Sequence, residues 1–259
     1  MRFGSRPQSA TGQGDLYPDP PHLSAFVAPD MDQWEALGVA WDVLIGAGCV
    51  FVGDVLVARE HRWFRDVSDV ERELVRSSGS ARDLLARGDV LRVQFRHRSI
   101  GTVALGLASA DEFGQPHPLE IAVHAGALSL PVEIWSKADR QAAKRVMGWM
   151  ERLLITVAGP TRARYGAIGI ESRLPSPASL ARAQRSPYWP TTWFWSSQIG
   201  ADDEVEQEQL LSKLSQSALS RTKEGTLFRA WRPWSDPRID VPGLEQVASF
   251  LARAVGPLN

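Results

Sequence analysis

Apolar positions along the chain recur with the period of helices in some segments and of strands in others. Spacings of three and four residues predict amphipathic helices over 31–46, 136–158 and 203–219, and a last helix opened by Pro242. Alternating or continuous apolar runs predict strands over 49–58, 90–97, 100–108, 119–125, 165–170, 191–197 and 226–231. A capping-box signature at Ser68 and Glu71 predicts a further helix through Val75.

The order of these elements predicts an α+β fold. Helices and strands are mixed without strict alternation, and the consecutive strands between 90 and 125 favour antiparallel neighbours. We therefore expect a mixed, partly antiparallel sheet covered by amphipathic helices. Residues 1–22, rich in Gly, Pro, Ser and Gln, are expected to form a flexible leader. Residues 23–259 are expected to form a single α+β globular domain, with a split into two subdomains near 160 as the alternative.

Charge and cysteine content narrow the class of protein. The chain has 29 Lys and Arg against 30 Asp and Glu, so it lacks the basic excess that favours nucleic acid or anionic membranes. No apolar run reaches the roughly 18 residues of a membrane helix, and no apolar segment follows the first residues as in a signal peptide. The single cysteine, Cys49, lies in an apolar run and is expected to be a buried small hydrophobe. We therefore expect a cytoplasmic protein.

Motifs for catalysis are absent from the sequence. There is no P-loop, no G-x-S-x-G elbow and no H-E-x-x-H, and no two of the five histidines have the spacing that places two ligands on one helical face. No cofactor, metal site or catalytic residue is expected from these patterns. The alternative is a hydrolase or transferase with a dispersed acid/base pair, Glu120 and His124, on one face of a strand near Glu133. An ion pair on a half-exposed sheet explains the same residues.

The densest aromatic cluster lies in the last third of the chain. Alternation places Trp193 and Trp195 on one strand face and Phe194 on the other, so either both faces are covered or one presents indoles to solvent. Exposed rings suit a protein-docking centre or, as an alternative, a carbohydrate-binding module, whereas buried rings would be core. The candidate aromatic binding residues are Tyr188, Trp189, Trp193, Trp195, Trp231 and Trp234.

An acidic run follows the aromatic strand. Asp202, Asp203 and Glu204 lie at the start of the predicted helix over 203–219, where they complement the helix dipole. The same carboxylates are candidates for docking onto a basic site of a partner protein. Both interpretations remain open at this point.

A resemblance to a known class of proteins comes from the segment before the aromatic strand. Tyr165-Gly166-Ala167-Ile168-Gly169-Ile170-Glu171, then Leu174-Pro175-Ser176-Pro177 and Leu180, resemble uncharacterised bacterial immunity proteins of polymorphic toxin systems. The resemblance spans roughly 160–235 and transfers no individual site residue. It implies a stable α+β protein without catalytic residues that binds one toxin domain and blocks its active site. We therefore expect a non-enzymatic protein-binding factor.

Overall fold

The residues that the structure describes form one large sheet of ten strands. The computed structural model describes residues 16–58, 72–76, 83–85, 88, 90–110, 117–182, 189–202, 204–230 and 243–255. The strands are β1 (His22–Ala28), β2 (Cys49–Ala58), β3 (Arg72–Arg76), β4 (Val90–His97), β5 (Gly101–Leu107), β6 (Leu119–His124), β7 (Tyr165–Ile170), β8 (Thr192–Ser196), β9 (Leu219–Arg221) and β10 (Gly225–Arg229). Their order in the sheet is β3-β2-β4-β5-β6-β1-β7-β8-β10-β9.

The helices form two layers, one on each face of the sheet. They are α1 (Gln33–Gly46), α2 (Lys137–Ala158), α3 (Pro177–Ala181), α4 (Ser197–Asp202), α5 (Glu204–Lys213) and α6 (Leu244–Val255). Helices α1 and α2 bury one apolar cluster against the face that carries Phe95 and Ile121. Helices α3 to α6 bury a second cluster against the face that carries Trp193 and Phe228. The architecture confirms the expected α+β class.

Strand direction differs from the expected mixture. Each of the nine neighbouring pairs in the described sheet is antiparallel, so the described sheet holds no parallel pair. Strand β1 lies in the middle and pairs with both β6 and β7, which places the two halves of the sequence, on either side of residue 160, in one continuous sheet.

Local sequence signals account for the helix ends. The Ser136 side chain accepts a hydrogen bond from the Asp139 amide, and the Asp139 carboxylate accepts one from the Ser136 amide, so the predicted capping box starts α2. Helix α1 begins at Gln33, two residues later than predicted, because the Asp32 side chain accepts hydrogen bonds from the amides of Trp34 and Glu35 and so caps the helix there.

Two segments differ from their predicted structure, and the strand predicted over 49–58 has the predicted bounds. The helix predicted through Val75 is instead the strand β3, because these residues pair antiparallel with β2, a non-local contact that overrides the capping signature. Ser68 and Glu71 lie outside the described residues. The predicted strand over 49–58 is one strand with an irregularity at Gly53, whose φ of 98° is the left-handed region that glycine tolerates. The helix predicted over 203–219 ends at Lys213 and is followed by β9.

The expected leader includes a segment that packs on the sheet. Residues 1–15 lie outside the described residues. Leu16 is only 3% exposed, and the chain from Leu16 to Pro21 leads directly into β1, which begins at His22. The described part of the expected leader, residues 16–22, is therefore packed against the sheet.

Candidate functional site

The two indole rings at the centre of the predicted docking surface are core residues. Trp193 and Trp195 are both 0% exposed, because helices α3 to α6 cover the sheet face from which they project. The Trp193 indole donates to the Pro190 carbonyl at 3.0 Å, and the Trp195 ring meets Phe250 of α6 edge-on at 5.8 Å. Assigning these two rings as surface binding residues was therefore wrong, and rings without solvent contact cannot stack on a sugar either.

Of the other aromatic candidates, Trp189 lies in the described part of the chain and three residues lie outside it. Trp189 is half-buried, and its ring lies edge-on to Trp193 at 6.3 Å. It remains a predicted binding residue. Tyr188, Trp231 and Trp234 lie outside the described residues, so their assignment also remains a prediction.

The acidic run forms the start of a surface helix. Asp202 is the last residue of α4, with its side chain outside the described set, and Asp203 is not described. Glu204 opens α5 and is exposed, as predicted for a residue that complements the helix dipole. Its neighbour Val205 is 68% exposed, and Glu208 is exposed one turn further along. The outer face of α5 therefore carries an apolar side chain between carboxylates.

A groove of about 360 Å³ lies between α5 and α6. Leu210 and Phe250 are among its lining residues, and both are almost completely buried. Charged side chains of both signs line the groove as well, and Arg253 on α6 donates to Glu206 on α5 at 3.0 Å. The remaining lining residues are Gln209, Lys213, Glu245, Gln246 and Ser249. The groove and the acidic face of α5 form one candidate docking surface.

The predicted acid/base pair does not come together. Glu120 and His124 lie on the same side of β6, but they are four positions apart on an extended strand, which separates their Cα atoms by roughly 13 Å. The Glu120 carboxylate accepts from Tyr17 and Ser24, at 2.6 and 2.7 Å, whereas His124 is exposed and its Nδ1 lies 2.8 Å from the Asp19 carbonyl oxygen. Each side chain is engaged by different partners, so the pair is outside hydrogen-bond reach and the acid/base assignment was wrong.

Three other ionisable side chains, those of Cys49, His97 and Glu133, lie in different environments. Cys49 is 4% exposed, and burial raises the pKa of its thiol to about 11, so the thiolate that a nucleophile needs is disfavoured at neutral pH. The ring of His97 lies against Trp149 of α2 at 5.4 Å. Glu133 is exposed in a short 3₁₀ turn. Within the described ranges, no three His, Cys, Asp or Glu side chains are grouped so that they would hold a metal ion.

The segment that carries the family resemblance ties a loop to the sheet. The Tyr165 hydroxyl donates to the Pro175 carbonyl at 3.0 Å, and Glu171 accepts a hydrogen bond from the His22 amide. These bonds fasten the chain after β7 to the rest of the sheet.

None of the described helices combines the length and apolar character needed to cross a lipid bilayer.

Comparison with known proteins finds structural similarity at low sequence identity. No family model matches the chain, and no curated protein matches it. Among solved structures, the chain is similar to the Pseudomonas aeruginosa T6SS protein PA0821, with a TM-score of 0.44 and 12% sequence identity. The alignment covers 91% of this chain and 73% of that one.

Proposed function

We propose that this protein is a non-enzymatic binding factor of the immunity type, which docks onto a basic site of a partner protein through the outer face of α5. The observation that carries this proposal is Val205, 68% exposed between the exposed carboxylates of Glu204 and Glu208. A single exposed valine is ordinary on a protein surface. Set among like charges beside a groove, it combines the apolar contact and the charge complementarity that protein interfaces use.

The groove beside α5 supports the same proposal. Its lining includes the carboxylates of Glu206 and Glu245, which suit a basic side chain inserted by the partner beside Lys213 and Arg253. The apolar side chains of Leu210 and Phe250 line the groove as well. The Arg253–Glu206 ion pair is exposed, with Arg253 58% accessible, so exchanging it for an intermolecular pair costs little.

In the immunity-type interpretation, such docking would block the active site of the partner. A helix rich in carboxylates can occupy the basic site with which an enzyme holds an anionic substrate, and so block it. This agrees with the resemblance of residues 160–235 to immunity proteins. The single cysteine of the chain is consistent with a reducing, cytoplasmic location.

Charge reversal on α5 tests the proposal. A stoichiometric partner is first isolated with the full chain from its native host, and its binding is then measured by surface plasmon resonance. Glu208→Lys should lower the association rate about tenfold and flatten its dependence on salt, because like charges then face each other. Glu133→Lys makes the same charge change at an exposed site away from α5 and should leave binding unchanged. The absence of a stoichiometric partner, or equal effects of the two substitutions, would contradict the proposal.

A further inference from the structure

A second site lies on the sheet face opposite α1 and α2, where β1, β4 and β6 each contribute one buried polar side chain. Ser24 is 3% exposed, Arg92 6% and Glu120 9%. Burying a guanidinium and a carboxylate is costly unless both are well paired, and apolar residues would fill a purely structural position at lower cost. Each of these polar side chains must therefore have hydrogen-bonding or charged partners.

Tyr17 is the group that lies on this cluster. Its hydroxyl donates to Glu120 at 2.6 Å, while Ser24 donates to the other oxygen of the same carboxylate at 2.7 Å. The guanidinium carbon of Arg92 lies 3.5 Å from the centre of the Tyr17 ring, in cation–π contact. The Tyr17 hydroxyl is thus recognised by a hydrogen bond to Glu120, and the face of the ring is recognised by the positive charge of Arg92.

Strand β5 leaves room for this arrangement. Gly106 pairs with Arg92 on one side and with Glu120 on the other, so it stands between the two charged residues. A Cβ atom at Gly106 would lie 3.2 Å from the Arg92 side chain and 2.5 Å from the Leu91 carbonyl oxygen. The glycine lets the Arg92 side chain lie close over β5.

The chain around Tyr17 is held by backbone carbonyls as well as by the buried side chain of Leu16. The Pro18 oxygen lies 2.9 Å from His22 Nε2, the Asp19 oxygen 2.8 Å from His124 Nδ1, and the Pro21 oxygen accepts from the Ala125 amide at 2.8 Å. The ring of Tyr17 also stacks on His22 at 4.9 Å. Half of the six residues from Leu16 to Pro21 are prolines, which lowers the entropy lost when an extended segment binds.

We propose that Ser24, Arg92 and Glu120 form a recognition site for a tyrosine in an extended, proline-rich segment, and that Leu16–Pro21 is a latch occupying this site in cis. When the latch opens, the site accepts a segment of the same chemistry from a partner protein. The site uses β1, β4 and β6 and stands apart from α5, so either proposal can fail without the other.

A peptide with the sequence of the latch tests the site in the full chain. Tyr17→Ala removes the side chain that fills the site, so the peptide Leu-Tyr-Pro-Asp-Pro-Pro should bind this variant at least tenfold more tightly than it binds the wild type. Its analogue with Phe in place of Tyr should bind the variant about tenfold more weakly, because it cannot donate to Glu120. Asp19→Ala changes an exposed residue of the same segment and should bind the peptide no better than the wild type does. Failure of the folded Tyr17→Ala variant to bind the peptide, or equal binding of both peptides, would overturn the proposal.

Hydrogen exchange gives a second measurement that does not depend on the alanine variant. The Ala125 amide bonds to the Pro21 carbonyl, so its protection reports closure of the latch. Tyr17→Phe keeps the ring and removes the hydroxyl, and should speed exchange at Ala125 about tenfold while leaving amides in α2 unchanged. Unchanged exchange at Ala125 would show that the hydroxyl does not hold the latch and would refute the proposed recognition.

Discussion

The ion pair between Glu151 on α2 and Arg229 on β10 offers a quantitative test of how the layers are joined. Arg229 Nε lies 2.6 Å from one carboxylate oxygen of Glu151 and Nη2 lies 2.9 Å from the other, so the pair is bidentate. Its side chains are 14% and 13% exposed. Arg229 Nη1 also donates to Ser220 at 2.9 Å. The perturbation we choose is Glu151→Leu, alone and together with Arg229→Leu.

The expected magnitude follows from the burial of the pair. Removing one partner of a fully buried pair costs about 3–5 kcal/mol, because the remaining charge is left without compensation. Some water reaches this pair, so we expect Glu151→Leu to lower the free energy of unfolding by about 2–3 kcal/mol. The double substitution to leucine should cost less than the sum of the single ones, with a coupling energy of about 2 kcal/mol, since no unpaired charge remains.

Urea unfolding followed by far-UV circular dichroism measures these changes. A matched control is the exposed pair between Glu206 and Arg253, whose side chains are 38% and 58% exposed. Glu206→Leu should cost under about 1 kcal/mol, the usual value for exposed pairs. If the substitutions of Glu151 and Arg229 are additive, or if Glu151→Leu costs no more than Glu206→Leu, the argument from burial is refuted.

The remaining predictions concern single sites. Burial raises the pKa of the Cys49 thiol from 9.0 to about 11. Iodoacetamide at pH 8 should therefore alkylate the folded protein about a hundredfold more slowly than the unfolded chain. The stability linked to this shift is fully present below pH 9 and is lost as the pH rises towards 11. Hydrogen bonds from the Ser136 side chain and backbone lower the pKa of Asp139, so Asp139→Asn should lower the thermal midpoint at neutral pH, and the difference should shrink as the pH falls below 3.8, the ordinary pKa of this carboxyl. At Gly166 a Cβ would lie 2.6 Å from a backbone oxygen of β1, so Gly166→Ala should destabilise by about 1–3 kcal/mol in urea, whereas Gly38→Ala, with open space around it in α1, should stabilise by about 0.5–1 kcal/mol.

Elements whose signals are local could be predicted from the sequence. Strand β4 has the predicted bounds, and α2 starts at the predicted capping box, because side-chain alternation and capping depend only on neighbouring residues. Strand β1 was not predicted. It is buried on both faces between β6 and β7, so it shows none of the alternation that marks a half-exposed strand, and a proline-rich segment precedes it.

Sites formed by distant residues could not be predicted in the same way. The sequence pattern correctly placed Glu120 and His124 on one face of a strand, but it does not indicate that Tyr17, about a hundred residues earlier, bonds to Glu120. It likewise separated Trp193 from Phe194 correctly, but whether a strand face is covered depends on helices from other parts of the chain, both before and after the strand. Burial is a property of the assembled layers, and alternation specifies only which side chains share a face.

The position of the tryptophan-rich strand still bears on the proposed docking surface, although its rings are not part of that surface. Trp195 packs against Phe250, and Phe250 lines the groove between α5 and α6, so the buried indole supports one wall of the groove. A substitution such as Trp195→Ala would leave a cavity beneath α6 and shift that wall. Loss of partner binding in that variant would therefore report the position of α6 rather than a contact of the indole. Substitutions at exposed positions such as Val205 and Glu208 leave the core intact. Only such substitutions distinguish direct contact with the partner from support of the groove by buried residues.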